Sequence, residues 1–408
     1  MDGTATAAGT VRRDMRVIGL ISGAHFFSHF YQLVLPPLFP LLRAEFGVTY
    51  TALGMLTGIF FLTGAVTQPA VGFLVDRYGA RPILLAGLAL MAAAVAALGL
   101  APGYWTMIPI VILAGLGNAV FHPADFAILN ASVHPSRLGR AYGAHGIMGN
   151  IGWAAAPMAS LSLTAIFGWR AALILLGCCG LAAAVYLAGQ RTAMMDHRRS
   201  PAADTAPTTL AADLGMLFTP TILVTFTFFA LTSMALVGVQ TFVPTALTDF
   251  HGIPLTVAAV ALTAFLLAGA AGTLGGGVLV DRFPRPELIA GSCLALFTVL
   301  FLALTLSGLP ELLIILILAL SGALLGATGP SRDMLVRQKT PVGSAGKVYG
   351  FVYSGLDLGA AIIPPVFGWM IDHGEPRLVF VVVSAAIALS VLTIVTLDRR
   401  GSATAPAE

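Results

Sequence analysis

Charge is scarce in this chain. Asp, Glu, Lys and Arg make up 10% of its 408 residues, against roughly 25% in a soluble domain. With 58% hydrophobic residues, that scarcity excludes a water-soluble globular protein. Cysteine is nearly absent. Cys178, Cys179 and Cys293 all lie inside apolar runs, so neither a disulfide framework nor a thiolate metal site is expected. No G-x-x-x-x-G-K-[ST] loop is present, which argues against a self-contained ATP-driven pump. No serine sits in a nucleophile elbow, and His122-Pro123 and His134-Pro135 lack metal-ligand spacing. The run Gly272-Thr273-Leu274-Gly275-Gly276-Gly277 is embedded in an apolar stretch and reads as a helix-packing face, not a phosphate cradle. The sequence therefore predicts no enzyme, no cofactor and no metal. The net charge of +3 implies no nucleic-acid partner, because the basic residues are spread over short loops. Arg12, Arg13 and Arg16 lead into a long run without a small-residue cleavage pattern, so a cleaved signal peptide is not expected.

What is abundant is apolar sequence in membrane-length blocks. A helix needs about 20 apolar residues to cross a bilayer. Twelve spans meet that requirement: 17–42, 51–76, 82–100, 105–130, 141–164, 170–190, 216–247, 256–280, 287–307, 311–335, 347–371 and 377–397. With both termini in the cytoplasm, all Lys and Arg except Arg43, Arg170 and Arg377 fall on the cytoplasmic side, as the positive-inside rule requires. Residues 191–215 are rich in Pro, Ala, Thr and charge, and read as a cytoplasmic linker between a six-helix half at 17–190 and another at 216–397. Residues 1–16 and 398–408 are expected to be cytoplasmic tails. The expected fold is an all-α membrane protein of twelve transmembrane helices in two pseudo-symmetric six-helix halves.

Between the second and third spans lies Gly72-Phe73-Leu74-Val75-Asp76-Arg77-Tyr78-Gly79-Ala80-Arg81-Pro82. Asp76 ends an apolar run, where the helix dipole disfavours an acid, so it wants a cation or another helix's amino end. Half a chain later Asp281-Arg282-Phe283-Pro284-Arg285-Pro286 repeats the pattern. The halves echo each other elsewhere too: Pro123 with Pro330, Arg140 with Lys347, Tyr142-Gly143 with Tyr349-Gly350, Gly152 with Gly359, and Pro157 with Pro364. These loops resemble the G-x-L-x-D-R-x-G-x-x loop of the major facilitator superfamily of secondary transporters, with Ala80 standing where a basic residue is usual. The superfamily is a known case of transporters built from repeats, with the substrate site near the midplane. The resemblance implies a gate of Gly72, Asp76, Arg77, Gly79 and Arg81 with Asp281, Arg282 and Arg285. In it Asp76 docks near Lys347 to Gly350, and Asp281 near Arg140 to Gly143.

Ionisable groups inside a bilayer are functional hypotheses by default, and three polar stripes stand out. The first span carries Ser22, His25, His29, Gln32 and Pro36 at helical spacing. Imidazoles at mid-membrane can shuttle protons or bond an anion, or can be neutral packed groups. The matching face of the seventh span has only Ser233 and Gln240. The fourth span carries Asn118, His122 and Asp125. Two roles are open to Asp125: a bond to Arg77 or Arg81 in the inner gate, which is preferred, or a proton acceptor. Its repeat mate is Arg332, an opposite charge. In the eleventh span Asp357 follows Tyr353 by one turn, with Asn150 as its repeat mate. Asp357 with His25 and His29 is the expected proton or substrate site. His145 shares a face with Gly149, Gly152 and Ala156 and is secondary. All four intramembrane histidines fall in the first half.

Within the superfamily, Phe121-His122-Pro123, Gln68-Pro69 and Gly149-Asn150-Ile151-Gly152 leading to Pro157 are most similar to the fosmidomycin-resistance group of bacterial drug exporters. Two departures are Ala156 before Pro157, where an antiporter-like pattern has glycine, and Val111 where many antiporters have arginine. The resemblance implies alternating access and proton-driven export of a small organic anion or drug by a monomer in the bacterial cytoplasmic membrane. Proton-symport uptake of a small carboxylate and a non-transporting membrane sensor or scaffold are the alternatives.

Overall fold

The structure, a computed structural model, describes residues 3–134, 137–190, 217–283, 285–339 and 345–402. The expected linker at 191–215 lies outside the described residues. Every regular element among the described residues is helical: α1 (Gly3–Gln32), a 3₁₀ turn (Pro36–Leu38), α2 (Phe39–Phe46), α3 (Tyr50–Tyr78), α4 (Ala80–Leu98), α5 (Tyr104–Asn118), α6 (Phe121–Ser132), α7 (Leu138–Ala188), α8 (Pro220–His251), α9 (Leu255–Arg282), α10 (Pro286–Ala303), α11 (Glu311–Lys339), α12 (Ala345–Asp372) and α13 (Pro376–Ser402). Helices predominate because a lipid interior offers no water to backbone N–H and C=O groups, and a helix satisfies them within one segment. Among the described residues, eleven stretches are long and apolar enough to cross a membrane. The longest, within α7, is two helices meeting at Gly168, whose φ is +80°. That glycine turn divides the fifth span from the sixth and brings the total to the expected twelve.

The chain divides into two compact units: 1–46 with 59–201, and 47–58 with 202–408. In the first unit α1 packs along α7, and α4 packs against α5 and α7. Gly152 permits the first contact: a Cβ there would lie 2.4 Å from the Phe26 carbonyl oxygen. Tyr31 reinforces it by donating its hydroxyl to the Leu176 carbonyl at 2.8 Å. Near one end of α1, the buried Asp14 carboxylate accepts from Arg137 Nη2 at 2.6 Å, Arg137 Nε at 2.8 Å and the His134 amide at 3.0 Å. Past the α1 break, Glu45 pairs with Arg170, whose guanidinium lies 4.2 Å from the Trp169 ring.

In the second unit α8 packs against α12 and α13, and α9 against α11. The glycine run is a packing face, as expected. Cβ atoms at Gly272 and Gly276 would meet the Ala323 and Ala327 carbonyl oxygens at 2.0 and 2.3 Å, the close approach that small residues allow between membrane helices. The unit boundary departs from the sequence halves at one place, because residues 47–58 group with the second unit. There the start of α3 lies on the end of α12. Asp372 caps it, accepting the amides of Tyr50 at 2.8 Å and Thr51 at 2.7 Å and the Thr51 hydroxyl at 2.7 Å. Gly54, Gly58 and Gly368 make the approach possible; a Cβ at Gly54 would stand 2.4 Å from the Pro364 carbonyl oxygen. The carboxylate also sits favourably at the positive end of the α3 dipole. Asp372→Ala strips that cap and is expected to cost about 1–2 kcal/mol, read as a lowered unfolding temperature in detergent. An unchanged unfolding temperature contradicts this account of the α3 start.

Candidate functional site

The fourth span is interrupted just before its functional residues. Pro123 has no N–H for the Ala119 carbonyl and so breaks the helical ladder. α5 accordingly ends at Asn118 and α6 begins at Phe121. The break sets His122 and Asp125 on the first turns of α6, beside α1 and α7 of the same unit.

Five of the predicted residues meet there. Asp125 is fully buried, and His25 and His145 are 2% and 3% exposed. His145 Nε2 lies 2.9 Å from Asp125 Oδ2, in hydrogen-bonding geometry. His25 Nδ1 lies 3.2 Å from the same oxygen but without hydrogen-bond alignment. The His25 and His145 rings stack with centroids 3.6 Å apart. His29 and His122 flank them, at 4.4 and 5.2 Å from the His25 ring. The arrangement grades outward: His29 is half-buried and His122 exposed, its ring stacked on Phe126. His25 Nδ1, His29 Nδ1 and Asp125 Oδ1 are buried with no hydrogen-bond partner. Buried polar atoms usually find partners, and three unbonded ones at one place make this cluster the candidate site.

Two corrections follow. Asp125 lies with the histidines and not on Arg77 or Arg81. Arg81 donates to the Ala188 carbonyl at 2.6 Å, and the exposed Arg77 guanidinium lies 5.4 Å from the Tyr78 ring. The reason is rotational: Asp125 shares its α6 face with His122, three residues earlier, and that face turns to α1 and α7. His145, placed second from sequence, is the group bonded to the acid. The small residues near it serve the site, since a Cβ at Gly149 would come within 2.8 Å of His29 Nδ1 and 3.1 Å of His25 Cδ2.

A second polar layer adjoins the cluster. Asn118 Oδ1 accepts from Ser28 Oγ at 2.9 Å and Gln32 Nε2 at 3.2 Å. Trp153 Nε1 donates to Gln32 Oε1 at 2.9 Å, and its ring lies 4.1 Å from that of His29. Sequence reasoning missed Ser28 and Trp153. The signal was available for the tryptophan, one turn past Gly149 on the face that carries His145. Asn150 lies half-buried on α7.

Of the predicted residues in the second unit, Arg332 holds its guanidinium 4.8 Å from the Phe229 ring, and Phe229 lies 5.1 Å from Tyr353. Asp357, one turn on, is half-buried; no hydrogen bond or ion pair joins it to another described residue. Ser233 donates to the neighbouring Leu356 carbonyl at 2.6 Å. Gln240 is 1% exposed with Nε2 unbonded. Asp357 belongs to the second unit, whereas His25 and His29 belong to the first. In the predicted gate, Gly79 turns the chain with φ +92°, Gly72 lies within α3, and Arg282 and Arg285 are exposed. The side chains of Asp76 and Asp281 lie outside the described residues.

Comparison with known proteins places the fold, for the Major Facilitator Superfamily model matches residues 21–261 and 240–408. The chain belongs to the Major Facilitator Superfamily. It is 27% identical to the fosmidomycin resistance protein of Escherichia coli (strain K12) over 403 residues, 98% of this chain and 97% of that protein. It is 24% identical to the probable sulfoacetate transporter SauU of Cupriavidus necator over 402 residues, 92% of each. A crystal structure of a bacterial homologue of the human lysosomal transporter Spinster shares the fold, with TM-score 0.77 at 14% identity, covering 94% of this chain and 97% of that one. This chain is thus a multi-pass membrane transporter of the secondary type and not an enzyme.

Two glycines separate site effects from packing effects. Gly149→Ala presses on movable imidazole rings and is expected to lower transport with little change in unfolding temperature. Gly152→Ala presses on the α1 backbone and is expected to lower the unfolding temperature. The same response from both variants contradicts this division.

Proposed function

We propose that this transporter exports a small organic anion or drug-like compound by alternating access, driven by protons, with Asp125, His25 and His145 as the proton-carrying group. The observation that supports it is the buried carboxylate bracketed by two imidazoles. A charge at membrane depth costs about 3 kcal/mol or more on insertion scales. With one added proton the group has no net charge, because an imidazolium neutralises the carboxylate. Without it, a negative charge remains in a low-dielectric site and calls for water or a counter-charge. Two stacked imidazolium rings this close would repel strongly, so one proton per cycle is the expected load. His29 and the exposed His122 form the route by which that proton enters and leaves.

On this reading Arg332, steadied over Phe229, attracts the anion, with Tyr353, Asp357 and Gln240 completing the substrate face. Asp76 and Asp281 gate the cycle from the loops between helices, and Asp76→Asn slows transport without unfolding the protein. Residence in the bacterial cytoplasmic membrane, both termini inside, and function as a monomer belong to the same proposal. A second reading is proton-symport uptake of a small carboxylate at the same site; the relative named as a probable sulfoacetate transporter supports a small anionic substrate for either.

The test is proton movement in proteoliposomes on addition of a panel of small organic anions and drugs. Wild type is expected to give a substrate-dependent pH change that Asp125→Asn abolishes and Arg332→Gln weakens through substrate affinity. The sign of the change against the substrate gradient separates export by antiport from uptake by symport. Substrate flux without any pH change, equal in wild type and Asp125→Asn, overturns proton coupling through this group.

A further inference from the structure

The same cluster has the makings of a different site. One ligand atom from each of His25, Asp125 and His145 lies within 4.8 Å of the other two. Three elements deliver them: α1, α6 and α7. Two borderline nitrogen donors and one carboxylate oxygen form the ligand set that zinc and its late first-row neighbours prefer. Two of the three separations suit a shared ion, and the His25 and His145 rings, stacked 3.6 Å apart at 21°, would turn to aim both nitrogens at it. Tetrahedral ligands at about 2.0–2.1 Å from a metal stand about 3.3 Å from each other, and the two nitrogens lie 3.2 and 2.9 Å from the Asp125 oxygen. The cluster's own hydrogen bonds leave it incomplete, because His25 Nδ1 and Asp125 Oδ1 are buried without partners. An ion between them would engage the first directly and could draw the second in as a bidentate oxygen. His29, with its own unbonded Nδ1, and His122, the exposed member, stand as further nitrogen donors on the way in.

The geometry points to a divalent transition-metal site at His25, Asp125 and His145, selective for Zn²⁺, Co²⁺ or Ni²⁺ over Mg²⁺ and Ca²⁺. The hard cations call for six or more oxygen ligands, and two of the three donors here are imidazole nitrogens. Binding needs both imidazoles deprotonated, so the metal and the proton exclude each other at Asp125. The metal-binding claim stands without the transport reading. Only its consequence, block of proton movement by the metal, rests on that reading.

The test uses the full-length protein in detergent, its affinity tag removed, titrated calorimetrically with ZnCl₂, CoCl₂, MgCl₂ and CaCl₂. One equivalent of Zn²⁺ or Co²⁺ is expected to bind per chain with proton release, and to raise the unfolding temperature. Asp125→Asn and His145→Gln are each expected to weaken binding by more than about tenfold. His251→Gln and His373→Gln, which alter histidines outside the cluster, are expected to leave it unchanged. X-ray absorption of the Co²⁺-loaded wild type is expected to show a nitrogen and oxygen shell with two imidazoles, which decides the matter even where a variant does not fold. No binding to wild type, binding lost in His373→Gln but kept in Asp125→Asn, or an all-oxygen shell each overturns the site. Metal binding without block of proton movement leaves the site standing and counts against the transport role of Asp125.

Discussion

A lipid interior has no water to offer, and the rest of this structure answers to that constraint. Backbone groups must pair within their own segment, which makes nearly every described element a long helix. Helices in lipid gain little from burying apolar surface against one another, so they are held by close approach at small residues and by a few well-placed polar contacts. Gly272 and Gly276 on α9, Gly152 on α7 and Gly54 on α3 supply the first kind, and Asp14, Tyr31 and Asp372 the second.

The same constraint gives the site its meaning. Polar groups sunk at membrane depth are expensive, and a chain that keeps four imidazoles and a carboxylate in one half-bundle bears that cost for a reason. The partners show how it is limited. Asp125 is met by His145 and His25, while His29 and Gln32 lean on Trp153, and Asn118 gathers Ser28 and Gln32. These groups stabilise one another, yet three buried atoms are left unbonded. The first unit holds the imidazoles and Asp125, and the second carries Arg332, Tyr353 and Asp357.

Much of this was legible beforehand. The spans followed from composition and length, and the twelvefold count survived even where one continuous helical run hides a turn, because Gly168 falls in the gap between the spans 141–164 and 170–190. Membership of the superfamily was written in the paired Asp-Arg loops and in the matching prolines and glycines of the two halves. His25 and His29 were identifiable because a helix face can be read from spacing of three and four. Residues 47–58, counted with the first half from their order in the chain, group with the second because Asp372 and the glycines near it hold them there.

Sequence by itself therefore determined the class, the number of spans and the residues worth suspecting, since hydropathy and helical period are properties of local stretches. Which of those residues meet was decided only by tertiary structure. Asp125 could have faced a gate arginine or a histidine. The rotation of α6 beyond the Pro123 break turned it to His145 and His25, and no local period records how one helix is rotated against another. The proximity of Trp153 to His29 and the capping of α3 by Asp372 have the same origin, for both join residues remote in sequence whose distance is set by packing alone.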